Sequence, residues 1–184
     1  MKKIFLDTEF TDLNRNTYNI ISLGMVELES KRGYYIEFTD TYWTSECSQF
    51  VKETVLPLLN TGKVPNESRM NSTEAVDAMY SYLASFDDDI EFMVDAPHWD
   101  YPLVTPFIEQ FKDKLNKTIV FSNYVVDDLD RAEAHVRISD RLFETMRRHH
   151  AYDDAYVAAT LFEQLTEDFE VFQSFKIFPT SKGN

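Results

Sequence analysis

Positions 3–42 hold three segments of strand character joined by short polar turns, and this opening limits the fold more than any other feature of the chain. The first, 3–7, is apolar and ends on Asp7. The second, 18–28, carries β-branched and apolar residues around Gly24, and the third, 33–42, brings Tyr34, Tyr35, Ile36 and Phe38, which favour a pleated surface. Short connections between such segments make an antiparallel meander. Strands and helices then alternate. Phe50, Val51, Val55, Leu58 and Leu59 have helical spacing over 48–59, with Pro57 disturbing the last turn. Gly62 and Pro65 mark 60–71 as a loop, and Asn71 with Glu74 is spaced to cap a helix reaching about Phe86. The apolar run 90–94 suits a buried strand, 103–115 a helix and 118–124 a strand, while 129–169 reads as helical with a break near Ser139 or His149. This order predicts an α/β domain whose mixed sheet, antiparallel over strands 1–3, is sandwiched by helices on both faces.

A chain of 184 residues fits one domain, and a hydrophobic fraction of 43% with 15 Phe and 10 Tyr supplies its core. The expected domain is 1–178, followed by a frayed tail at 179–184. Apolar stretches fall short of the ~20 residues that span a bilayer. The N-terminus lacks the hydrophobic region of a signal peptide, and the single cysteine, Cys47, cannot form an internal disulfide. A cytoplasmic protein with no membrane partner is therefore expected. Its net charge of −14 argues against a broad electrostatic grip on polyanions, so any nucleic acid it binds should be held over a short footprint.

Three short motifs carry chemistry. Asp7-Thr8-Glu9-Phe10 directly follows the first apolar run, and residues two apart in extended chain point the same way, so two carboxylates converge. Acids at a strand end are also commonly just solvated. Trp99-Asp100 lies just beyond the buried strand 90–94, where parallel sheets open their ligand crevices. Asp100 is thus a candidate ligand, or alternatively the cap of a helix starting at Tyr101-Pro102. His149-His150-Ala151-Tyr152-Asp153-Asp154-Ala155 sets a histidine five residues before an aspartate, with small residues that let a helix approach other backbone closely. Together the motifs offer four carboxylates and a histidine. Hard divalent ions prefer such oxygens, and with only one Cys and four His the chain suits magnesium or manganese better than zinc.

In order and type, these motifs resemble those of the DEDDh group of 3′-5′ exonucleases, which share the RNase H-like fold with polymerase proofreading subunits and RNase T. Asp7-x-Glu9, Trp99-Asp100 and His149-x-Ala151-x-x-Asp154-Ala155 carry the resemblance, which spans Ile4 to about Phe169. Ala151 and Ala155 set the register, selecting His149 over His150 and Asp154 over Asp153. The resemblance implies two Mg2+ ions, replaceable by Mn2+, held by Asp7, Glu9, Asp100 and Asp154. It implies His149 as general base and a nucleoside 5′-monophosphate as product. Thr8, Phe10 and Trp99 become candidate substrate contacts; Phe10 and Trp99 could stack on bases or pack in the core.

The partner implied is nucleic acid with a free 3′ end, RNA favoured over DNA because small stand-alone relatives act on RNA ends; a proofreading-like DNA activity is the alternative. A homodimer is compatible with relatives that complete their site across a two-fold interface. Arg131, Arg137, Arg141, Arg147 and Arg148 form either a phosphate path or a solvated face balanced by Glu133, Asp140 and Glu144. The rival from another class is a non-catalytic nucleic-acid-binding module.

Overall fold

The computed structural model describes residues 1–14, 16–62, 64, 67–126 and 129–177. The strands are β1 (Lys2–Phe10), β2 (Ile20–Glu27), β3 (Gly33–Phe38), β4 (Glu67–Met70), β5 (Ile90–Val94), β6 (Ile119–Val126) and β7 (Phe169–Ile177). The helices are α1 (Gln49–Thr54), α2 (Ser72–Ala84), α3 (Pro97–Ile108), α4 (Lys112–Leu115), α5 (Leu129–Phe143) and α6 (Ala151–Gln164).

All seven described strands form one sheet in the order β4-β3-β2-β1-β5-β6-β7. The meander β1-β2-β3 is antiparallel, as expected, while β5 pairs in parallel with both β1 and β6. β1 sits near the middle because it is apolar on both faces. Ile4 and Leu6 point into the core formed with α2 and α3, and Phe5 points into the core formed with α6. The sheet is therefore covered by helices on both sides. No helix among the described residues is long and apolar enough to cross a membrane.

Several local expectations change. Both acids of the first motif lie inside β1, which runs to Phe10, rather than beyond its end. The expected loop 60–71 contains β4, a short strand on the free edge of β3. Helix α1 stops at Thr54, and Pro57 lies within a separate 3-10 turn, Leu56–Leu58, that follows it. Asn71 and Glu74 cap α2 reciprocally, each side chain accepting from the other's backbone N–H. Helix α3 begins at Pro97, six residues before the apolar spacing suggested, because proline at the first helical position has its φ already set. The long helical stretch breaks at 144–150, around His149, and Phe169 opens strand β7 instead of closing a helix. The tail at 179–184 lies outside the described residues.

Candidate active site

Asp7 and Glu9 project from the same face of β1, two residues apart on the side that α6 covers. Thr8 turns to the opposite face, where its Oγ1 donates a 2.7 Å hydrogen bond to Oδ1 of the buried Asp100. Asp100 stands in the first turn of α3, whose N-cap is Ala96, so it does not cap the helix as one reading allowed.

The third motif arrives on α6. Ala151, Ala155 and Ala159 are almost fully buried, and this row of small side chains lets the helix lie low on the sheet. Gly24, directly opposite Asp7 in the β1–β2 register, takes the closest contact. A Cβ there would stand 2.3 Å from the Ala151 carbonyl oxygen, well inside any real contact distance. Glycine at this position thus permits the approach that brings the start of α6 to the β1 acids. The segment before α6 is pinned by Arg147, whose backbone N–H and Nε each donate to Asp153 Oδ2 at 2.8 Å and whose Nη1 donates to Thr61 Oγ1 at 2.6 Å. His149 then adopts a left-handed backbone with φ of 63°.

This turn separates the two adjacent histidines. His150 is buried with its ring 4.4 Å from that of Tyr35, and burial followed by the Arg147 charge pushes its pKa down to about 4. It is a neutral core residue. His149 instead reaches the acids: ligand-capable atoms of Glu9, His149 and Asp154 all lie within 4.8 Å of one another. Asp7 and Asp100 fall outside that tightest group but act on it electrostatically.

The carboxylates hold protons unusually well. Burial, then Glu9, Asp154 and Asp100, raises Asp7 well above the ordinary aspartate range. Glu9 is pushed up to about 8 by burial and by Asp154 and Asp100. Asp154 and Asp100 rise to about 7, chiefly through burial, although backbone N–H groups at His149 and His150 partly offset this for Asp154 and the Thr8 hydroxyl does so for Asp100. Burial and the Arg148 charge lower His149, leaving its imidazole neutral at neutral pH. Like charges confined together favour either protons or a cation between them. The donor set, oxygen-rich with one imidazole, fits a hard divalent ion. Cys47 is no donor here; it is buried with Ile21, Val51 and Val55.

Beside the acids, Phe10 stacks on Trp99 with centroids 5.4 Å apart and an interplanar angle of 17°. Tyr18, which no sequence motif singles out, meets both rings edge-on at 5.6 and 5.8 Å. Phe50 was also missed. Its helical spacing suggested a core position, yet it is 54% exposed and meets the His149 ring edge-on at 5.1 Å. Gly24 carried no sequence signal beyond interrupting an apolar run. The arginine cluster disperses: Arg147 is tied to Asp153, and Arg148 pairs with Asp140 at 2.7 Å while lying over the Phe143 ring. The Arg131 side chain lies outside the described residues.

No protein-family model matches the chain, nor does any curated protein. Among solved structures it is similar to S. pombe Pop2p in its Mg2+- and Mn2+-bound form, with a TM-score of 0.53 and 16% identity over 90% of this chain and 82% of that one. At that identity the likeness concerns the fold. With its central antiparallel meander, parallel β5 and β6 and helices on both faces, the chain has an RNase H-like α/β fold.

Proposed function

We propose that this chain is a divalent-metal-dependent 3′-5′ exonuclease that releases nucleoside 5′-monophosphates from a free 3′ end, with RNA as the favoured substrate. The observation that carries this reading is the convergence of Glu9 from β1 with Asp154 and His149 from the start of α6, across some 140 positions of sequence. Asp7 and Asp100 supplement the charge of that group. Motif order supports the 3′-5′ direction, and the Mg2+- and Mn2+-bound state of Pop2p supports the choice of ion.

Asp7, Glu9, Asp100 and Asp154 would hold two such ions, which when bound supply Lewis-acid stabilisation of the charge developing on the phosphate and on the leaving oxygen. The chain's own groups do the rest. The neutral imidazole of His149 accepts a proton from the attacking water, whose oxygen bonds to the terminal phosphorus as the P–O3′ bond breaks. The released 3′ oxygen is protonated, so water is divided between the two products. Thr8 holds Asp100 by its hydroxyl, and the Phe10–Trp99 pair offers a flat apolar surface to a base beside the acids.

The distance among Glu9, His149 and Asp154 favours a second role for His149, as a direct ligand of the ion. In that case His149→Ala would weaken Mn2+ binding as strongly as Asp154→Ala does. As general base alone, it would leave Mn2+ binding largely intact.

The deciding experiment incubates purified protein with 5′-labelled RNA and DNA oligomers, including a duplex with a 3′ overhang, in Mg2+ or in chelator. A ladder shortening by single nucleotides with release of 5′-monophosphates, lost in chelator and faster on RNA, is expected. Faster cleavage of DNA would reassign the substrate. Tight binding with no metal-dependent cleavage would favour the non-catalytic module.

A further inference from the structure

Three adjacent strands bring polar side chains to one level beside the acids. Phe5 of β1 is the register partner of Met93 in β5, and Met93 that of Ser122 in β6. Two positions further on stand Asp7, Asp95 and Tyr124, on the side of the sheet that α6 covers. All three line the cavity that Asp154 and His149 also line. Tyr124 differs from its two neighbours in being a donor instead of an acid. Its ring is clamped by Phe5, Phe162 and Phe169, which meet it edge-on with centroids 5.3, 6.2 and 5.6 Å away. Packing therefore fixes where the hydroxyl points, and among the described residues no protein group accepts a hydrogen bond from it. Burial, followed by the charges of Asp95, Asp7, Asp100 and Asp154, raises its pKa well above the ordinary tyrosine value. The phenol is thus a standing donor surrounded by acceptors.

We infer that Tyr124 is a further catalytic residue, whose hydroxyl donates a hydrogen bond to a non-bridging oxygen of the scissile phosphate. The inference rests on the exonuclease reading and adds the group that meets the phosphate from the β6 side. A phosphate at these acids needs donors, because negative charge spreads over its non-bridging oxygens as the bond to the leaving oxygen breaks. The arginine of the cavity lining, Arg148, is already paired with Asp140 at 2.7 Å, and Arg147 is tied to Asp153 and Thr61. A neutral hydroxyl suits the place better than a cation would. Lysine or arginine there would pair with the carboxylates and compete with a divalent ion for them, whereas a phenol leaves them available. Held rigidly by three aromatic rings, it also needs no reorganisation when the charge develops.

Tyr124→Phe tests this, since it keeps the ring packing and removes only the hydroxyl. On an all-oxygen oligonucleotide in Mg2+ the variant should lose turnover by a factor on the order of 100, with its melting temperature unchanged. Substrates carrying sulfur at one or the other non-bridging position of the terminal linkage give a readout that a structural role would not move. Sulfur is a poor hydrogen-bond acceptor, so for one of the two diastereomers the loss caused by Tyr124→Phe should largely disappear. Unchanged turnover, or an equal loss on the oxygen substrate and both sulfur substrates, would overturn the inference while leaving the exonuclease reading intact. Should the parent protein release no nucleotide, that reading falls, and calorimetric titration of inorganic phosphate in Mg2+ decides the role of Tyr124 by itself. Phosphate binding weakened about fivefold or more in Tyr124→Phe would retain the donor; equal affinity in the two proteins would remove it.

Discussion

Gly24 and Ala151 meet so closely that a Cβ on Gly24 would lie 2.3 Å from the Ala151 carbonyl oxygen. Gly24 is also the register partner of Asp7. The same point in β2 therefore faces an acid of β1 along the sheet and carries the first turn of α6 above it. Gly24→Ala must displace the helix or bend the strand, which costs about 1–3 kcal/mol by analogy with other overpacked cores. A shift of ~1 Å in Asp154 should lower kcat by a factor on the order of 100. Thermal unfolding and single-turnover cleavage would check both, and a Gly24→Ala protein with unchanged rate would show that α6 has slack.

Thr8→Val keeps the shape of a buried side chain and removes the donor to Asp100. Left without that hydrogen bond, the Asp100 carboxyl should rise further above its pKa of about 7 and compete less well for a cation. The expected result is a stability loss of about 1–3 kcal/mol and a higher Mg2+ concentration for half-maximal activity. An unshifted Mg2+ titration would count against a role for Asp100 at the metal site.

His149→Ala should reduce turnover by a factor on the order of 100 or more, the usual scale for loss of a general base. In the parent protein the lowered pKa of His149 keeps the imidazole neutral down to pH values below its ordinary 6.5. The rate should therefore fall only on the acidic side, and that limb should change shape in the variant. Identical pH profiles for the two proteins would remove His149 from the proton transfer.

Binding of a divalent ion should stabilise the protein more at pH 8 than at pH 6. Glu9, Asp100 and Asp154 have folded-state pKa values raised to about 8, 7 and 7, so between the unfolded values and these the folded chain keeps protons that the unfolded chain releases. Their ionisation consequently disfavours the metal-free fold as pH rises. A cation reverses this by replacing the protons, with affinity falling ~10-fold per pH unit for each proton displaced. The gain in Tm with Mg2+ should shrink on acidification; a pH-independent gain would mean that the ion binds elsewhere.

Arg147→Ala should act on stability. It breaks a largely buried pair with Asp153 and the contact to Thr61, and charged hydrogen bonds of this kind contribute about 1.5–3 kcal/mol each. The variant should unfold at a lower temperature, while the salt dependence of RNA binding stays as in the parent. A reduced salt slope would restore Arg147 to a phosphate path.

The strand meander, the α/β class and the capped start of α2 were legible because each rests on local patterning: alternating or apolar runs, turn residues, and the Asn71–Glu74 pair. The edge strands were not. β4 is short and polar, whereas β7, with Phe169, Val171, Phe172 and Ile177, has strand composition of its own and pairs along the edge of β6, so the helical reading that ran on to Phe169 extended the α6 pattern too far. Likewise Pro97 outweighed the apolar spacing in deciding where α3 begins.

By itself the sequence determined which groups could do chemistry, since residue type and spacing place Asp7 with Glu9 on one strand face and His149 with Asp154 at one helix start. Only the tertiary structure decided that these groups meet, that His149 joins them while His150 is buried, and that Thr8 secures Asp100 from the other face of β1. The reason is that electrostatic coupling and burial depend on distance in space. That distance was set by a contact between Gly24 and Ala151 which neither segment encodes alone.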